Sequence, residues 1–136
     1  MTGIDFTAIA PDGWEPASGY AYAVRAHGRS SVHVSGQIAS RDGKPVEPGL
    51  DMAAQCSQVL SNIATLVRAA GGQPENIVAM RVYVTDVDAF HAAGEGIGAA
   101  WVQHLGMHFP AVTMVGVSRL SDPNAVVEAE VEAVLP

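Results

Sequence analysis

The sequence predicts an α+β fold in which two amphipathic helices lie on one face of a largely antiparallel sheet. Three observations carry that expectation. Apolar residues recur at helical spacing through residues 52–70, and they do so again through residues 90–105. A period of two then runs through residues 126–134, where Val127, Ala129 and Val131 interleave with Glu128, Glu130 and Glu132. With 136 residues, 49% of them apolar, the chain is expected to form one domain with a proper core.

Taken in order, residues 1–18 mix Pro11, Gly13, Pro16 and a lone Trp14 without a usable period. They read as an N-terminal arm that either wraps the domain of residues 19–136 or caps a site. Residues 20–26 and 31–35 are β-prone stretches separated by His27-Gly28-Arg29-Ser30, a turn signal at hairpin spacing, and are expected to open an antiparallel sheet. Turn chemistry at Arg41-Asp42-Gly43-Lys44-Pro45 and at Pro48-Gly49 leads into the first helix. Met52, Cys56, Val59, Ile63, Leu66 and Ala70 form its apolar stripe, and Gly71-Gly72 stops it.

Residues 77–85 read as a half-buried strand, with Met80, Val82 and Val84 on one face and Arg81 and Tyr83 on the other. Asp86 offers an N-cap to a second helix outlined by Phe90, Ala93, Ile97, Trp101 and Leu105. Gly94, Gly96 and Gly98 each cost that helix about 1 kcal/mol relative to alanine, so it is either locally thin or closely packed. Strands at residues 111–118 and 126–134 finish the chain. A sheet face carrying Tyr20, Tyr22 or Tyr83 beside a column of glutamates is too mixed for a dry core, and a small domain has no second layer to cover it. Oligomerisation is the economical cover. Carboxylates buried in this way need cations, and Arg81 and Arg119 are the nearest in pattern.

Fourteen acidic and seven basic residues give a net charge of -7, with no basic stripe, which counts against a nucleic-acid partner. A single cysteine, no secretory or lipidation signal and no long apolar span lead to the expectation of a cytoplasmic protein without a membrane partner. None of His27, His33, His91, His104 and His108 is read as a metal ligand. His33, on the strand face of Ser35, and His108, just before Phe109, are the two best placed to do more than hold structure. Cys56 on the helix stripe reads as an inert buried thiol, and Trp101 as core.

Four segments then converge. Gly19-Tyr20, Ser35-Gly36-Gln37, the helix of residues 55–72 with Gln55, Asn62 and Ala69-Ala70-Gly71, and the strand of residues 126–134 together resemble the Rid family of reactive enamine/imine deaminases. That family is also called YjgF or L-PSP, and the resemblance covers residues 19–134. It implies a chorismate-mutase-like fold whose sheets form a central barrel in a homotrimer, with three small-molecule clefts between subunits and no metal or organic cofactor. It also implies that Glu128 polarises the attacking water as the catalytic residue, with Tyr20, Ser35, Gly36, Gln37, Val112, Thr113 and Met114 around the substrate.

The departures from the family pattern gather at that site. In Phe109-Pro110-Ala111-Val112-Thr113, Val112 stands where the family has the arginine that grips the substrate carboxylate, and valine cannot make that bidentate contact. Thr113 keeps a hydroxyl where serine is usual, and Met114 replaces a cysteine. Gly94 and Ile97 replace asparagine and tyrosine, while Gly19 and Tyr22 alter the step around Tyr20. Arg119, in Val117-Ser118-Arg119-Leu120, matches a family arginine of structural character. The expected function is therefore hydrolytic deamination, or related enamine/imine chemistry, on a small metabolite other than simple 2-imino acids. The alternative is a non-catalytic trimeric module that binds a small apolar or aromatic metabolite. The family's older ribonuclease and translation-inhibitor labels fit the acidic balance poorly. On pattern alone, the three alternating glutamates also suit a solvated or interface-lining face.

Overall fold

The structure, a computed structural model, describes residues 3–136. Its strands are β1 (Asp5–Ile9), β2 (Ala23–His27), β3 (Ser30–Gln37), β4 (Ile77–Val84), β5 (Ala111–Gly116) and β6 (Val127–Leu135). Its helices are α1 (Met52–Ala69), α2 (Val87–Ala92) and α3 (Gly94–Leu105), with a 3-10 turn at Pro74–Asn76. Four strands form a sheet in the order β3-β6-β4-β5, in which only the β4-β5 pair is parallel, and β1 pairs with β2 in a separate antiparallel ribbon.

β4 and β6 have the expected alternation. Met80, Val82, Val84, Val127, Ala129, Val131 and Ala133 are buried against the helices, while Arg81, Tyr83, Glu128, Glu130 and Glu132 are half-buried on the opposite face. Asp51 caps α1 by accepting a hydrogen bond from Ala54 N at 2.8 Å, and Gly71, at φ +97°, takes the left-handed turn that ends it. The buried stripe of α1 is wider than expected. It adds Gln55, Leu60, Ala64 and Val67, whereas Leu66 is 40% exposed and Ala70 lies outside the core. A strict three-and-four step drifts off the buried face when a helix is covered by a sheet on one side and a second helix on the other.

The arm of residues 1–18, in which the sequence shows no usable period, supplies β1; its strand is exposed at four of five positions and so carries no readable alternation. Two further expectations are corrected. β2 and β3 do not pair with each other. Arg29 N donates to Leu135 O at 2.8 Å, which hands the chain from the ribbon to the main sheet where a tight hairpin was expected. The second helix is two: Asp86 caps α2 through Ala89 N at 3.0 Å, as expected, but the helix breaks at Ala93, just before Gly94. Gly96 is closely packed, since a Cβ there would sit 3.2 Å from the Ala53 Cβ of α1.

His104 of α3 meets Ser57 of α1, with Nε2 and Oγ 3.0 Å apart. Burial, and then the Arg68 guanidinium, push the imidazole below the usual histidine range. A folded pKa below the unfolded value makes this contribution to stability fully present above about pH 6.5 and progressively lost as pH falls through the folded value. The melting temperature is therefore expected to fall as pH drops below about 6.5, ahead of carboxylate titration, and the slope in that window to flatten in His104→Gln. Thermal unfolding scanned against pH checks this. Among the described residues, no helix is long and apolar enough to cross a membrane.

Candidate ligand cavity and the Glu128 face

α1, α2 and α3 do not close completely onto the sheet. Between them lies a cavity of about 760 Å³, within the size range of small-molecule sites. Its floor is the inner face of β4, β5 and β6, including Met80, Val112, Met114 and Ala129. α1 contributes Cys56, Val59 and Leu60, and the α2–α3 arm contributes Phe90, Ile97 and Trp101. Tyr20 stands at its edge because Ala21 forms a parallel bridge to Ala111, with Ala21 N donating to Pro110 O at 2.9 Å.

The wall is chemically quiet. Among the described residues, no carboxylate and no guanidinium lines the cavity, whose titratable neighbours are Tyr20, Cys56 and His91. Burial pushes the Cys56 thiol up to about 12, so it stays protonated and is a poor nucleophile, as its place on the helix stripe implied. Trp101 is half-buried, packs against the core as expected, and also lines the cavity. Its indole N–H is committed to His108 O at 2.9 Å, and its ring stacks on Phe109 at a centroid distance of 6.1 Å. Neither histidine singled out from the sequence lines the cavity. His108 uses Nε2 on Ile77 O at 2.7 Å and packs its ring on Phe6, while His33 lies near Ser31 Oγ at 3.3 Å. His91, exposed on α2, does line it.

The remaining sequence candidates lie elsewhere. Gly36 sits where the β3-β6 register slips between Val34 and Gln37, and its bare backbone is pressed against Glu128. A Cβ on Gly36 would overlap Glu128 Oε2 and come within 2.9 Å of Cδ, so only glycine admits the carboxylate there. α1 fixes both partners of this contact. Buried Gln55 accepts from Val126 N at 2.9 Å and donates to Asn124 O at 2.8 Å, just before β6; Asn62 donates to Ile38 O and Ser40 O at 3.1 and 2.8 Å, just after β3. Gln37 folds back, its amide donating to Ser35 O at 3.0 Å. By strand alternation Glu128 and Thr113 face away from the cavity, so the expected site divides: Tyr20, Val112 and Met114 on the helix side, Glu128, Gly36 and Thr113 off it.

On that outer face Arg81 donates from Nε to Glu130 at 2.9 Å and from Nη2 to Glu132 at 3.0 Å, and the Tyr83 hydroxyl donates to Glu130. Tyr83, and next Arg81, hold the Glu130 carboxyl below the usual range. Arg81 is thus the cation that the glutamate column called for. Arg119, the other candidate, is exposed and makes no ion pair among the described residues. Glu128 has no ion pair among them either, which leaves its carboxylate available to a water or a ligand.

Comparison with known proteins settles the lineage. The family described as Endoribonuclease L-PSP matches residues 11–135, reaching further into the arm than the segments read from the sequence. A 2-iminobutanoate/2-iminopropanoate deaminase from Escherichia coli strain K12 is 36% identical over 103 residues, 76% of this chain and 77% of that protein. The chain belongs to the Rid family, also called YjgF or L-PSP. The mitochondrial protein MMF1 of Saccharomyces cerevisiae is 32% identical over 94% of this chain and 81% of its own length. The crystal structure of a conserved Rid-family protein, YyfB, from Yersinia pestis superposes with a TM-score of 0.85 at 28% identity, covering 96% of this chain and 98% of that one. The α+β, chorismate-mutase-like fold expected from the sequence is therefore the fold of this Rid-family chain.

Proposed function

We propose that this Rid-family protein hydrolyses the C=N bond of a small enamine or imine other than a simple 2-imino acid, with water polarised by Glu128 against the Gly36 backbone. The observation that carries the reading is Val112. It occupies the cavity floor where the family's arginine is expected, and no lysine or arginine among the described lining residues replaces that guanidinium. Tyr20 and Met114 would flank the ligand, and Ser35, Gly36, Gln37 and Thr113 would complete the water side. The working unit is a homotrimer with the ligand between subunits. Support comes from the division of the site within one chain: an intersubunit cleft lets the Glu128 of one copy serve the cavity of the next. The single buried Cys56 suits a reducing, cytoplasmic setting.

A second reading, a trimeric binding module without turnover, is favoured by that same division. Ammonia release from a panel of freshly generated imines separates the two. Glu128→Gln is expected to lower kcat by about 10²–10⁴-fold, the usual worth of a positioned acid–base group. Turnover that is unchanged in Glu128→Gln overturns hydrolysis through Glu128, and ligand uptake without any ammonia establishes the binder.

A further inference from the structure

The cavity wall carries a positive preference as well as a missing clamp. Phe90, Trp101 and Phe109 present three rings to one space. Trp101 and Phe109 lie within 15° of parallel, and the Trp101 N–H is already spent on His108, so the pair offers ring surface and no donor. With a net charge of -7 on the chain and neither lysine nor arginine among the described lining residues, an anionic occupant would lose its hydration and meet only His91 as a cationic partner, away from the ring pair.

α3 supplies an independent observation. Gly98 lines the cavity in the interior of a helix, its φ is not positive, and a Cβ added there would meet nothing within 4 Å. The same space is open at Gly94, whereas Gly96 has the packing reason already given. Glycine inside a helix costs about 1 kcal/mol relative to alanine, and no atom of the described residues requires it at Gly98. Gly98 is exposed and lines the cavity, so the space it leaves lies at the cavity's open edge.

We propose that the cavity takes a flat, uncharged aromatic group, and that Gly98 is a specificity-determining notch through which the ring enters. Joined to the hydrolysis reading, on which this part rests, the substrate class is the imine of an arylalkylamine. Water adds its oxygen to the imine carbon, the C–N bond breaks, and both water protons finish on nitrogen, so R–CH=NH and H2O give R–CHO and NH3. A two-electron oxidation of a primary arylalkylamine is the class of reaction that supplies such an imine.

The test titrates the full chain calorimetrically with 2-phenylacetamide and with phenylacetate, which share a ring and differ in charge. The amide is expected to bind about 10-fold or more tightly than the carboxylate. Gly98→Leu is expected to lose about 10-fold or more of the amide affinity with an unchanged mass in sedimentation. Gly98→Ala is expected to melt higher and bind the amide more weakly, a pair of opposite signs that a purely structural glycine does not produce. Equal or tighter binding of phenylacetate, or Gly98 variants that alter the assembly mass but not the amide affinity, would overturn the proposal. Ammonia release from the imine of 2-phenylethylamine is read in parallel. Selective amide binding without ammonia refutes the hydrolysis reading and leaves the ligand class standing.

Discussion

Val112→Arg is expected to raise ammonia release from 2-iminobutanoate by about one to two decades in kcat/KM over the natural chain. The estimate follows from a charged hydrogen-bonded pair being worth roughly 1.5–3 kcal/mol, with about 1.4 kcal/mol per decade. Geometry favours the gain. Val112 is half-buried on β5, opposite Met80 of β4, and its side chain looks into a cavity with room for a longer residue. Without a ligand the new guanidinium has no carboxylate along the wall, so the variant should also melt lower than the natural chain and recover on adding a 2-oxo acid. The same substitution should weaken binding of the neutral amide. A natural chain already active on 2-iminobutanoate, with no response to Val112→Arg, would mean that another residue grips the carboxylate.

Gly36→Ala is expected to lower turnover about as far as Glu128→Gln, roughly 10²–10⁴-fold, while changing stability by no more than about 1 kcal/mol. The three atoms nearest the added methyl all belong to the Glu128 side chain, Oε2, Cδ and Cγ, and the far end of that side chain can swing aside. The fold is spared and the carboxylate is displaced. Steady-state kinetics with a matched thermal melt check this. A large loss of stability would show that β3 depends on the close approach for its register, and full activity would show that the position of Glu128 beside Gly36 is irrelevant to the chemistry.

Much of the fold was legible because its central elements are half-buried. β4 and β6 each have one face toward the helices, so their alternation survives in sequence, and α1 announces both its stripe and its glycine stop. The need of Glu130 and Glu132 for a cation could be read from the cost of unpaired charge, and Arg81 meets it. Elements without a buried face were silent. β1 is exposed nearly throughout, and the break at Ala93 falls before the first of three alternating glycines, none of which marks the boundary in sequence more strongly than the others. The individual residues of the site were legible, but their arrangement was not. Val112 and Glu128 lie on opposite faces because Val112 pairs with Met80 and Glu128 with Tyr83, positions of opposite parity on β4, and that register is not written in a period of two.

The most direct measurement is the natural chain's own preference: kcat/KM for ammonia release from 2-iminobutanoate and from the imine of 2-phenylethylamine, in one assay with Glu128→Gln as the control. The expected result is turnover of the carboxylate-free aromatic imine that disappears in Glu128→Gln, with the 2-imino acid slower by about a decade or more. Efficient, Glu128-dependent turnover of 2-iminobutanoate with none of the aromatic imine would contradict it.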